Sequence, residues 1–368
     1  MIKAVIIGCA HMHVNEIALY ITEAEGITLA AAADLVPDTT EIVKARYTRD
    51  WNKENIKNNY CDNIYDDYIK MLDTEKPDWA FILTENKNKP AVVEECAKRG
   101  INVSIEKPIA VSYEEALKIE ESVNKYGIEA IVNWPVIWRP YMYEMINAYR
   151  LGLVGDLKKL YYINGHTGPL GAGAKHRGVS DTAEEMTDEA RSKTWWYQKN
   201  QGGGAILDIL CYGAMYSALL QEGDAKSVYA YSDNLNTPYS DAEDNVSAVI
   251  KYDNTYTVAE GTWTIPQLVL PGGPVLMCEK GAIYTKKEDG VCTVLAVDMY
   301  GNPLEIPKCE FPKYMKNIAE HLTYVKKTGS PLTKEVTLSQ NMKVMAILDA
   351  AKKSTESGCE EKVVCRAE

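Results

Sequence analysis

The sequence predicts an α/β protein: a parallel-sheet domain at the N-terminus, then a larger α+β domain built on a big, mainly antiparallel open sheet. Two observations carry this. The first third of the chain alternates short apolar runs with amphipathic stretches, the pattern of successive strand-helix units. Beyond about residue 125 the β-type runs follow one another with fewer helices between them, which suits an antiparallel sheet.

In the first part the predicted strands are Ala4 to Ile7, Thr28 to Ala33, Trp79 to Leu83 and Asn102 to Ile105. Ala130 to Val132 follows a helix over Tyr113 to Tyr126. The polar, asparagine-rich stretch from Asp50 to Asn63 reads as surface decoration before a helix around Asp66 to Leu72. In the second part, strands are predicted over Lys158 to Ile163, Ala225 to Tyr231, Val246 to Tyr252, Thr255 to Thr264 and Val291 to Val297. A long irregular segment, Gly165 to Thr194, has the length of a functional loop. Val336 to Ser354 carries apolar residues at helical spacing. The boundary is placed between residues 1–126 and 127–368.

Composition narrows the function classes. The 368 residues, 46% hydrophobic and 25% charged, are ordinary for a globular chain with a sizeable core. With 40 Lys plus Arg against 52 Asp plus Glu, the formal charge of -12 makes nucleic acid an unfavourable partner. No run approaches the ~18 apolar residues of a membrane span, and Met1-Ile2-Lys3 leads straight into a strand, so a cytoplasmic protein with no membrane partner is expected. Nine scattered cysteines without a C-x-x-C pair argue for reduced thiols.

The first motif is Gly8-Cys9-Ala10-His11-Met12-His13, a tight turn between a strand and a helix that begins near His13. Such a turn presents backbone N–H groups to a dinucleotide pyrophosphate. Ala10 and His13 stand where the second and third glycines of G-x-G-x-x-G belong. Asp34 ends the second strand, 26 positions after Gly8, where a carboxylate accepts from a ribose diol. The nearest basic residues after it are Lys44 and Arg46, and without an adjacent arginine NAD is favoured over NADP. His11 and His13, spaced i to i+2, lack the partners of a tetrahedral set, and no metal is expected.

The second motif is Glu106-Lys107-Pro108 at the carboxyl edge of the sheet, where open α/β folds bind ligands. A third block follows: Trp195-Trp196, then Gly202-Gly203-Gly204, then Asp208 and Tyr212 at i, i+4 on one helix face. Together these residues resemble the Gfo/Idh/MocA family, which includes glucose-fructose oxidoreductase and inositol dehydrogenase. Trp138-Arg139-Pro140, Gly152-Leu153-Val154-Gly155, Ala259 to Trp263 and the last helix resemble its second domain more loosely.

The resemblance implies a Rossmann domain holding NAD through Gly8, Ala10, His11, Met12, His13, Asp34, Thr84, Asn86, Glu106 and Lys107. It implies oxidation of a secondary alcohol on a sugar or cyclic polyol, with Lys107 at the reacting hydroxyl, Asp208 beside it and Tyr212 at the proton acceptor's position. A phenol with a pKa of about 10 needs cationic neighbours to serve as a base, and His166 or His176 from the long loop stand as alternatives. Trp138, Arg139, His166, His176, Trp195 and Trp196 are expected at the substrate.

A narrower similarity is to gut-bacterial glycoside 3-dehydrogenases. These convert a glucoside C3 hydroxyl to a ketone with tightly bound cofactor recycled by a second sugar, and a partner lyase acts on the keto product. Redox-assisted glycoside hydrolysis and a non-catalytic NAD sensor are the competing readings. The family also implies a homo-oligomer.

Overall fold

The computed structural model describes residues 1–35, 46–170, 186–266, 269–270 and 273–365. The first sheet contains β1 (Ile2–Ile7), β2 (Ile27–Ala33), β3 (Ile64–Tyr65), β4 (Trp79–Ile82), β5 (Asn102–Glu106) and β6 (Ala130–Asn133). All pairings are parallel, in the order β3-β2-β1-β4-β5-β6. This is the doubly wound Rossmann order, and the reversal between β1 and β4 opens a crevice at the strands' carboxyl ends. Every residue of β4 and β6 is buried, so continuous apolar runs replace the alternation of a half-exposed strand.

The helices α1 (Val14–Glu23), α2 (Arg49–Asn59), α3 (Tyr68–Glu75), α4 (Lys89–Lys98) and α5 (Tyr113–Tyr126) belong to this domain. In α5, Ser112 accepts from the Glu115 amide at 3.2 Å at the start, and Gly127, at φ 65°, closes the end in the left-handed region. The expectation for residues 50–63 is corrected by α2. Arg49, Asn52 and Ile56 are buried on one helical face, so this stretch packs against the domain instead of decorating it. β6 pairs with β5, so the first sheet runs on to Asn133.

The second domain begins with α6 (Pro140–Arg150) and carries a nine-stranded mixed sheet. Its strands are β7 (Leu157–Gly165), β8 (Ser227–Asp233), β9 (Asn245–Lys251), β10 (Tyr256–Thr262), β11 (Val275–Cys278), β12 (Gly281–Glu288), β13 (Val291–Asp298), β14 (Pro303–Leu304) and β15 (Glu361–Lys362). The order is β14-β13-β12-β11-β7-β10-β9-β8-β15, antiparallel except where β7 and β10 run parallel. All five predicted strands are present. β11 is an apolar run of only four residues and β12 is mixed in polarity, and the tight Glu279-Lys280 turn joins them with no loop to mark the break.

One face of this sheet is covered by α8 (Cys211–Leu220) and α10 (Leu338–Ser357), whereas the other exposes Tyr229, Tyr231, Val249, Tyr256 and Met277. The remaining helices are the short α7 (Asp188–Ser192) and α9 (Ile318–Thr328), which packs on α1 of the first domain. The segment Lys199–Leu220 is long and apolar enough to cross a membrane, yet 94% of its most apolar window is buried inside the fold. It is also interrupted by the glycine turn and by a π-turn over Ile206–Leu210 that leads into α8.

Candidate active site

The site is built from the carboxyl ends of β1, β2, β4 and β5 on one side and the π-turn on the other. Gly8 closes β1 at φ 90°, and a Cβ there would stand 2.6 Å from the Thr84 backbone nitrogen. Only glycine combines that backbone with that close approach. The Cys9 amide donates to Asp34 Oδ1 at 3.1 Å and the His11 amide to the Leu83 carbonyl at 3.0 Å. The Ala10 and Met12 amides, just ahead of α1, have no hydrogen-bond partner among the described residues. A glycine cradle with two spare N–H groups at a helix start fits a dinucleotide pyrophosphate.

The turn rests on a buried amide network that sequence reasoning missed. Asn52 donates to the Cys9 and Tyr47 carbonyls, both at 2.9 Å, and Asn15 donates to Asn52 Oδ1 at 2.8 Å and to the Met12 carbonyl at 3.1 Å. Asparagines in a polar stretch give no signal of this, since tertiary packing alone brings α2 under the turn. Met12 itself points its side chain into the core.

Asp34 sits where predicted, with Oδ1 held by the Cys9 and Leu35 amides. Burial raises its pKa, with Arg49 and the amide bonds acting against the rise. The expectation that no arginine stands near it is corrected: Arg49 Nε lies 3.1 Å from Asp34 Oδ2, and its other end contacts Glu85. Arg49 escaped notice because the contact depends on how α2 docks, not on spacing from Asp34.

Thr84 lies under Gly8 and donates to Glu85. Asn86 donates to the Gly202 carbonyl at 2.8 Å, tying the first domain to the glycine turn of the second. Its Oδ1 accepts from Lys89 Nζ at 2.7 Å, and the same nitrogen reaches the Glu106 and Pro108 carbonyls, both at 2.7 Å. Lys89 is wholly buried, and burial lowers its pKa to about 7, with Glu106 opposing and Lys107 assisting. It therefore braces both sides of Lys107, a role that a lysine in a helix start does not advertise.

Glu106 accepts from Asn133 at 2.8 Å and meets His13 Nδ1 at 3.1 Å. Asn133 in turn accepts from Trp138 Nε1 at 3.0 Å, so Trp138 is a buried member of this relay and is not brought to Lys107. Arg139 is exposed at the start of α6. His11, His13 and Glu106 place one potential ligand atom each within 4.8 Å of one another. The His13–Glu106 contact and the His13 amide bond to His11 Nδ1 at 3.2 Å account for that clustering.

Lys107 is 2% exposed and donates to the Asp208 carbonyl at 2.8 Å and to Asp208 Oδ1 at 3.2 Å. The other carboxylate oxygen, Oδ2, accepts from Trp263 Nε1 at 3.0 Å and faces His166 Nε2 at 3.3 Å. His166 leaves the end of β7 beside Thr262, and its ring lies near-parallel to Trp263. Its Nδ1 is buried and has no hydrogen-bond partner among the described residues. Burial would raise the Asp208 pKa, but Lys107 and His166 hold it well below the ordinary carboxylate range. For Lys107 burial works against the charge, and Cys211, Tyr212, Asp208 and Glu106 around it act the other way and raise its pKa well above the ordinary lysine value.

Tyr212 turns its ring face to Lys107, whose Nζ is 4.3 Å from the ring centroid, and packs edge-on against Trp134. Burial drives its phenol pKa up, with Lys107 opposing only in part. The expected helix carries a π-turn at Asp208, and such irregular turns recur at functional sites because they re-aim a side chain.

Trp195 and Trp196 stack 3.9 Å apart, and Trp195 Nε1 donates to the Ala10 carbonyl at 3.0 Å. With Asn86, Lys107, Gly203 and Asp208 they line a closely packed cleft that leaves no room for a free water molecule. Gly203 is obligatory, because a Cβ would strike the Trp196 carbonyl. A larger groove, between Met1 and Tyr324, contains none of the predicted residues. His176 lies outside the described residues.

A family profile described as an oxidoreductase family with an NAD-binding Rossmann fold matches residues 2–134, and a GFO/IDH/MocA C-terminal domain matches residues 173–283. No curated protein matches the chain. Among solved structures, it is similar to the WlbA dehydrogenase from Bordetella pertussis in complex with NADH and UDP-GlcNAcA, at 16% identity and TM-score 0.73, covering 99% of both chains. Aldose-aldose oxidoreductase from Caulobacter crescentus, complexed with glycerol, gives 16% identity and TM-score 0.73 over 98% of this chain and 99% of that one. An oxidoreductase from Agrobacterium radiobacter, in complex with NAD+, L-tartaric acid and magnesium, gives 16% and 0.72 over 98% of each. At these identities the likeness concerns the fold.

Proposed function

We propose that this chain, which belongs to the GFO/IDH/MocA oxidoreductase family and carries its NAD-binding Rossmann domain, oxidises a secondary hydroxyl of a sugar or glycoside. The observation that carries the reading is the chain of contacts Lys107–Asp208–His166 at the end of β5, opposite the dinucleotide turn. The nicotinamide of NAD accepts hydride when bound, and Gly8, the Ala10 and Met12 amides and Asp34 are the groups that would hold the dinucleotide.

The protein's part is to hold the alcohol and take its proton. Lys107, with two N–H bonds directed at Asp208, retains a third for the substrate oxygen and stabilises alkoxide charge as it develops. Asp208 remains ionised and orients His166 through Nε2, and Nδ1, buried and unpartnered among the described residues, is the nitrogen to which a substrate hydroxyl brought against it would give its proton. Tyr212 stays a phenol and serves as the ring on which Lys107 rests. Trp195 and Trp196 supply flat apolar walls, and the neighbours crystallised with UDP-GlcNAcA or glycerol support a polyhydroxylated substrate.

Within this class a glucoside C3 hydroxyl is the target we favour, with a partner lyase consuming the keto-glycoside. The deciding experiment incubates the purified protein and NAD with hexoses and glucosides, following nicotinamide absorbance and identifying products by mass. A keto-glycoside is expected; no cofactor reduction and no hydride exchange across the panel would remove the assignment. Release of free aglycone without a second enzyme would instead establish redox-assisted hydrolysis.

The exposed apolar face around Tyr231 and Val249 supports a homo-oligomer. Val249→Glu should shift the mass in light scattering to that of one chain; an unchanged mass would place the contact elsewhere.

A further inference from the structure

Three charged side chains meet at the adenosine end of the crevice: Asp34 after β2, Glu85 after β4 and Arg49 at the start of α2. All three are buried. The guanidinium Nε is 3.1 Å from Asp34 Oδ2, and its terminal nitrogen contacts Glu85 Oε1. Glu85 is fixed in turn, because its second oxygen accepts from Thr84 Oγ1 and, at 3.1 Å, from Asn88 Nδ2.

A strand-end carboxylate and a nearby arginine point in opposite directions for a dinucleotide. The carboxylate suits a ribose diol, whereas the arginine suits a 2′-phosphate. In this chain one guanidinium stands between two carboxylates, which leaves the trio with one net negative charge. A phosphate monoester arriving there meets that charge, and drawing Arg49 towards it would strand a carboxylate in a buried site. Asp50 and Lys53 of α2 also act on the Cys9 thiol beside Asp34, and Lys53 is paired with Asp66 at 3.1 Å.

We infer that Glu85 is a specificity-determining residue, which by engaging Arg49 makes the pocket accept the 2′-hydroxyl of NAD and reject the 2′-phosphate of NADP. This rests on the cofactor reading above and goes beyond the Asp34 signal, which the presence of Arg49 would otherwise leave ambiguous.

The test is a titration of NADH and NADPH into the full chain, read by calorimetry and by quenching of tryptophan emission, in the wild type, Glu85→Gln and Glu85→Asp. The wild type should favour NADH. Removing one unit charge in Glu85→Gln should shrink the NADH-to-NADPH affinity ratio by about tenfold, through tighter NADPH. Glu85→Asp should restore most of the ratio, and adding Arg49→Gln to Glu85→Gln should abolish the gain. An unchanged ratio in Glu85→Gln overturns the inference.

Should Glu85→Gln fail to fold, the wild type is titrated with 5′-ADP and 2′,5′-ADP. A preference for 5′-ADP supports the assignment and equal affinity overturns it. Failure of the wild type to bind either dinucleotide would overturn the cofactor reading itself, whereas equal binding of both overturns this inference alone.

Discussion

The two ends of the crevice are electrostatic opposites. At the adenosine end a single guanidinium, Arg49, lies between the carboxylates of Asp34 and Glu85. At the reaction end a single carboxylate, Asp208, lies between the Lys107 ammonium and the His166 imidazole. The first arrangement makes the pocket selective against further negative charge. The second keeps a buried aspartate ionised and leaves one histidine nitrogen without a partner among the described residues. One basic group between two acids thus serves exclusion at one end, and one acid between two basic groups serves proton transfer at the other.

The largest way to break the contrast is at the reaction end. Lys107→Ala should lower kcat by about a thousandfold, the scale of a lost charge-stabilising donor. Its removal also leaves the buried Asp208 with the Trp263 N–H and His166 and without its ammonium partner, so a lowered Tm should accompany the loss. Turnover within a few-fold of wild type would show that Lys107 does not touch the reacting oxygen.

The next effect separates the two candidates for the base. His166→Ala should cost about a hundredfold in kcat, partly recovered by added imidazole, because general-base assistance is worth that much. Tyr212→Phe keeps the ring under Lys107 and should change kcat by no more than about threefold. If the phenylalanine variant is the inactive one, the proton acceptor is Tyr212.

The smallest effect sharpens the contrast by way of Lys89, which has three carbonyl-type acceptors and no carboxylate partner. Its folded-state pKa of about 7 lies below the ordinary value of 10.5. Between those pH values the unfolded chain binds a proton that the folded chain does not, so this group makes stability rise with pH from about 7. In thermal melts from pH 6.5 to 9.5 the wild type should gain on Lys89→Met as pH increases, and parallel curves would contradict this.

What could be read in advance was what local sequence dictates. Gly8, Asp34 and Lys107 each sit at the end of an apolar run, and a strand end in a parallel sheet fixes its residue's place whatever the loops do. Asp208 was legible through the glycine turn before it. Arg49, Glu85, Lys89 and Asn52 were not, because their roles arise only when α2 and α4 dock against the sheet. Trp138, expected at the substrate, shows a role that sequence does not display: its indole N–H serves Asn133 and, through it, Glu106. His166 needed the fold to show that β7 ends next to β10, where Trp263 waits.

The nine-stranded sheet ends on both sides in strands of only two residues, Pro303–Leu304 and Glu361–Lys362, the first of them carrying a proline. Such stubs offer too few unpaired main-chain groups to template another strand, and proline supplies no N–H at all. Each stub also covers only two residues of its neighbour, Ala296 and Val297 of β13 and Ser227 and Val228 of β8, so strand pairing by another chain is barred at the stubs and not along the rest of those two edges.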